Sequence, residues 1–145
     1  WVVAMIKLQP GRELDGIIAE KVFAWTYRIA EDLDWARSWR GERGGATVGD
    51  RILTSGSFIE RVCPPFSGDI AAAFLVVEQM GATPGPDGDH YTFPLDYCPG
   101  HYAIAIFAQG EDWEGRGEAT TVPHAICLAA LEAVEKGLAN AETPR

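Results

Sequence analysis

At 145 residues the chain is of single-domain size and long enough to bury a core, and 47% hydrophobic against 23% charged content excludes a disordered chain. Twelve basic against twenty-one acidic residues leave a formal net charge of −9, which excludes broad binding to nucleic acid, because phosphates are repelled by such a surface. No apolar run approaches the roughly 18 residues that span a membrane, so no membrane partner is expected.

The cysteines, Cys63, Cys98 and Cys127, are odd in number and contain no close pair. Neither a disulfide framework nor a structural zinc site is expected, and a reducing cytoplasm is the expected compartment. The chain opens Trp1-Val2-Val3-Ala4 ahead of Met5, too short a run for a signal-peptide core. It reads as an early strand, as the edge of a fragment or as a non-native remnant.

Pro10 and Gly11 open the first element. Leu14, Ile17, Ile18, Val22 and Trp25 recur at three- and four-residue steps, with Glu13, Asp15, Glu20 and Lys21 between them. The spacing predicts an amphipathic helix over roughly 11–25 with Asp15 among its solvated positions. Thr26 to Ala30 either finishes that helix or begins a strand. Gly41, Gly44, Gly45 and Gly49 then mark a loop. Residues 51–54 and 58–62 read as short strands, a hairpin that feeds the break at Pro64-Pro65.

Those two prolines stop what precedes them, and Ser67 and Asp69 are spaced to cap a new helix. Ile70, Ala73, Phe74, Val77 and Met80 supply its apolar face, and Gly81 is its expected C-cap. Residues 83–89 form a turn-rich linker. Residues 90–95 and 102–108 read as paired strands joined through Cys98-Pro99-Gly100, and residues 109–120 as a polar connection. A last helix starts near Val122, with Thr121 as cap, Pro123 in the first turn and Cys127, Ala130, Leu131, Val134 and Leu138 as its stripe. Residues 140–145 are expected to fray. The order helix, β segment, helix, two strands, helix gives an α+β class: one domain over 1–145, with a small antiparallel sheet layered against about three helices.

Three stretches resemble a known family. The run 12–25, the run 65–78 (Pro65-Phe66-Ser67-Gly68-Asp69-Ile70-Ala71-Ala72-Ala73-Phe74-Leu75-Val76-Val77-Glu78) and the run 119–131 (Ala119-Thr120-Thr121-Val122-Pro123-His124-Ala125 and onward) are similar, in that order, to the opening, central and final helices of the phage ABA sandwich domain. The resemblance implies an α/β/α-type sandwich, a phage or prophage origin and the host cytosol as compartment. It transfers no catalytic residues. Residues 26–63 depart from it as a longer, insert-like segment rich in Trp, Arg and Gly.

No phosphate-binding glycine loop is present, since Gly41 to Gly49 lacks the strand before it and the Gly-Lys-Ser/Thr after it. His90, His101 and His124 have no metal-ligand spacing, so neither a metal nor another cofactor is expected. Loop carboxylates such as Glu31, Asp32, Asp34, Glu111 and Asp112 read as a solvated face. The distinctive composition is Trp25, Tyr27 and Arg28 followed by Trp35, Arg37, Trp39 and Arg40. Aromatic faces beside guanidinium groups suit a flat anionic ligand, and the same residue types are protein-interface hot spots. They also suit plain packing, with Trp25 closing the core and Trp35 and Trp39 one turn apart. Thr121 and His124 at a helix start add backbone donors for an anion.

The expected function is therefore a non-enzymatic phage accessory protein that binds a host protein or sequesters a small nucleotide-like signal, as a counter-defence protein would. A structural, homo-oligomerising assembly module is the second reading, and a metal-assisted hydrolase the third.

Overall fold

The computed structural model describes residues 8–31, 48–54, 61–82, 92–109 and 113–142. Helix α1 is Arg12–Lys21, followed by strands β1 (Tyr27–Ile29), β2 (Arg51–Leu53) and β3 (Arg61–Val62). Helix α2 is Ile70–Ala82. Strands β4 (Leu95–Cys98), β5 (Tyr102–Gln109) and β6 (Trp113–Ala119) lead into helix α3 (Val122–Glu142). The class is α+β, as read from the periodicities, with three helices among the described residues. The strands of the described residues divide between two antiparallel sheets, β1-β2-β3 and β4-β5-β6.

The expected hairpin before the prolines is present, with Ile52 opposite Val62 and Leu53 opposite Arg61. Thr26 to Ala30 resolves as strand, because α1 ends four residues earlier than its periodicity suggests. Val22 closes α1 by donating to the Ile18 carbonyl, and Ala24 turns the chain at φ 57°. That turn lets Phe23 stack on Trp25 at 4.4 Å and on Phe66 at 5.2 Å, so Trp25 contributes to the core rather than to the helix.

The largest correction concerns residues 109–120. Within them Trp113–Ala119 forms strand β6, paired with β5 from Ala103–Ala119 to Gln109–Trp113, while residues 110–112 lie outside the described residues. The charge of the strand hides a period of two, with Gly115, Gly117 and Ala119 on one face and Arg116 and Glu118 on the other. The small residues are required because α3 lies directly on the strand. A Cβ on Gly115 would overlap the Ala129 carbonyl oxygen, and one on Gly117 would overlap that of Ala125. Hydrophobicity gives no signal where contact demands the absence of a side chain.

Helix α3 is the centre of the packing. Ala125 to Leu131 are all buried, and the helix touches β5 and β6, α1 and α2. Its expected stripe is therefore too narrow, since elements pack on several sides of it. Helix α2 behaves in the opposite way. Ala72, Ala73, Val76 and Met80 are buried, while Ile70 and Phe74, expected inside, are exposed along with Leu75. Gly81 is helical rather than a C-cap. Of the expected strand at 90–95, residues 90 and 91 lie outside the described residues; Thr92 makes a bridge with Ala108, and the strand proper is Leu95–Cys98. Helix α3 continues through Glu142, so of the expected frayed tail only residues 143–145 lie outside the described residues.

Candidate functional site

The most concentrated polar chemistry among the described residues lies where α1 meets the turn after Pro64-Pro65. Gly11 holds φ 151°, ψ −173°, a conformation essentially restricted to glycine, and its N–H donates to Ser67 Oγ at 2.9 Å. Ser67 in turn donates twice to one oxygen of Asp15. Its backbone N–H reaches Asp15 Oδ1 at 2.8 Å and its hydroxyl reaches the same atom at 2.6 Å. The thiol of Cys63 donates to the Asp15 carbonyl at 3.4 Å.

Asp15 and Ser67 are both buried, at 7% and 1% exposure. Burial raises the Asp15 pKa, and the hydrogen bonds from Ser67 and the charge of Arg51 offset only part of that effect. Sequence reasoning placed Asp15 on the solvated side and Ser67 as a cap. Both expectations fail for one reason: each residue satisfies the other inside the protein. Asp69 does the capping, accepting from the Ala72 N–H at 3.0 Å.

A buried carboxylate bonded to a hydroxyl has the parts of a nucleophile and its base. Here the hydroxyl is inaccessible, both donors of Ser67 are committed to Asp15, and the imidazole of His124 is engaged elsewhere. The cluster ties the end of the proline turn to α1. Its role is structural.

Around it sit two arginines. Arg12 donates from Nη1 to the Val48 carbonyl at 2.8 Å and approaches Asp50 through Nε at 3.4 Å. Arg51 donates from Nη1 to the Gly49 carbonyl at 2.8 Å, while its buried Nε has no hydrogen-bond partner among the described residues. These guanidiniums fix the 48–50 turn against α1.

Among the residues singled out for binding, Tyr27 and Arg28 lie on opposite faces of β1. Tyr27 is half-buried, its ring against the backbone of Gly16, where a Cβ would come within 3.2 Å. Arg28 is exposed. His124 is buried and its Nε2–H donates to the Leu8 carbonyl at 2.8 Å, which secures the segment before α1. Thr121 is exposed and its carbonyl accepts from Ala125 in the first turn of α3. Trp35, Arg37, Trp39 and Arg40 lie outside the described residues. Cys127 is buried, and burial pushes its thiol up and away from reactivity. Among the described residues no group of three or more metal-binding side chains comes together, and no helix is long and apolar enough to cross a membrane.

Comparison with known proteins supplies the identity of the domain. The family model of the phage ABA sandwich domain matches residues 16–131, from within α1 to within α3. The chain belongs to that family. A phage protein from Bacillus cereus ATCC 14579, known from a 2.0 Å crystal structure, is similar over 88% of this chain and 93% of its own length, with 21% identity and a TM-score of 0.54. At that identity the likeness is one of fold. No curated protein matches. In this phage ABA sandwich domain the Asp15–Ser67 tie lies inside the matched region except for Asp15 itself, which stands one residue before it.

Proposed function

We propose that this phage protein is a non-enzymatic accessory factor that binds a component of the host cell, with its contact surface on β1 and the segment that follows. The observation that carries the reading is the placement of β1. Tyr27 is anchored on α1 and the strand is paired with β2 from Tyr27–Leu53 to Ile29–Arg51, so Arg28 is presented from a fixed base. In the sequence β1 is followed by Trp35, Arg37, Trp39 and Arg40, whose aromatic and guanidinium groups suit either a host protein or a flat anionic nucleotide-like signal. A counter-defence role by sequestration fits this chemistry. The commitment of Asp15 and Ser67 to each other supports binding over catalysis.

The test is native mass spectrometry of the protein purified from its natural host cells, beside a Trp35→Ala/Trp39→Ala double variant. The wild type is expected to retain a bound small molecule or host protein, and the double variant to lose it with an unchanged melting temperature. Full retention by the double variant would refute the surface assignment.

A further inference from the structure

The sheet β4-β5-β6 is covered by α3 over β5 and β6, and β4 is its outer strand among the described residues. Thr92 exchanges both backbone hydrogen bonds with Ala108, and the Pro94 carbonyl accepts from Ile106. Alternation then fixes which way every later group points: Asp96 and Cys98 face β5, opposite Ile104 and Tyr102. Phe93, Leu95 and Tyr97 therefore turn their N–H and C=O groups outward. Their side chains share the face of Ala103, Ala105 and Phe107. Leu95 is 40% and Tyr97 50% exposed, while Phe93 rests against Phe107 at a ring distance of 5.0 Å.

An edge of this kind is a template for another strand, and native proteins usually blunt it with lysine, proline or a bulge on the outward-bonding positions. Here those positions are Phe, Leu and Tyr. The opposite edge, β6, carries exposed Arg116 and Glu118 instead.

The geometry points to a second copy of this chain as the occupant, added antiparallel through β4. Three registers would match outward groups with outward groups. Centring on Asp96 sets two carboxylates directly opposite each other at a non-hydrogen-bonded pair, roughly 4.5 Å between Cα atoms. Centring on Pro94 leaves Tyr97 opposite position 91, beyond the bridge at Thr92. Centring on Leu95 pairs Leu95 with its own copy and Phe93 with the Tyr97 of the second copy, and it forms about six interchain hydrogen bonds. On the reverse face Asp96 then meets only Pro94. The strand is self-complementary in that register, and the product is a six-stranded sheet with a two-fold axis at Leu95. Each protomer carries a net charge of −9, so added salt tightens the pair.

Sedimentation of the full chain at on the order of 100 μM tests the proposal. The wild type is expected at twice the 15.7 kDa protomer mass. Tyr97→Pro removes one outward donor that the protomer itself does not use, and it is expected to weaken association at least tenfold with an unchanged circular dichroism spectrum. Leu95→Cys, in a Cys98→Ser background, is expected to form an intermolecular disulfide on mild oxidation, because a two-fold hydrogen-bonded pair sets the Cα atoms about 5.5 Å apart. A monomeric wild type overturns the proposal and leaves the edge to a strand from a different protein. A dimer that is indifferent to Tyr97→Pro and gives no Leu95→Cys crosslink overturns it as well, by placing the interface elsewhere.

Discussion

Asp15 offers the sharpest test of the interior, because its replacement by alanine or by asparagine separates packing from charge. Asp15→Ala removes the acceptor of two buried donors. The Ser67 N–H has its partner only in Asp15 Oδ1 at 2.8 Å, whereas the Ser67 hydroxyl can fall back on the Gly11 carbonyl at 3.4 Å. A buried donor left unmade costs about 1–3 kcal/mol. One full loss and one weakened bond sum to about 2–4 kcal/mol, a melting-temperature drop on the order of 10 °C for a domain of this size. Asp15→Asn keeps an oxygen where Oδ1 stands, so its loss is about 1 kcal/mol.

The pH dependence carries the sign. Burial raises the folded pKa of Asp15 above its ordinary value, so the native state holds this proton more tightly than the unfolded chain does. Stability from this group is greatest in acid and falls as pH rises from the unfolded value through the raised folded one. The difference between wild type and Asp15→Asn, measured by urea unfolding, is expected to narrow as pH rises through that window, since every other carboxylate is common to both proteins. A difference that widens with pH, or an alanine variant within about 0.5 kcal/mol of wild type, would refute the reasoning.

Two further substitutions probe the packing. Gly117→Ala drives a methyl group into the α3 backbone at Ala125, where no flexible side chain can move aside, so a loss of about 3 kcal/mol or more in chemical denaturation is expected. The neighbouring pair on α2 separates exposure from periodicity: Met80→Ala is expected to cost about 2–4 kcal/mol, and Phe74→Ala about 1 kcal/mol or less, although both residues fall on the same predicted face.

The elements that were legible in the sequence are those whose signal is a side chain seeking burial. The Pro64-Pro65 break, the cap at Asp69, the hairpin of β2 and β3 and the start of α3 all announce themselves by residue type at fixed spacing. Strand β6 did not, because α3 approaches it closely enough to exclude side chains, and glycine in a charged run reads as a loop. Asp15 and Ser67 were misread for a related reason. A carboxylate is inexpensive to bury only when its donors are already in place, and those donors come from a residue 52 positions away. A sequence window over α1 contains no trace of them. The binding residues proposed around Trp35 rest on composition alone and lie outside the described residues, and composition carries no geometry.

The same close approach explains where the molecule has surface to offer. Because Gly115 and Gly117 let α3 settle on β6 and Ala103 and Ala105 let it settle on β5, the helix is committed to β5 and β6. The inner-face residues of β4 are large where the described ones of β6 are small, and Leu95 and Tyr97 stand exposed. A strand chosen only to complete this sheet would satisfy β5 with small or polar residues on that face. Large apolar side chains beside outward-facing amides are instead what a further strand requires, so the packing that buries α3 is also what leaves the β4 edge as the place for association.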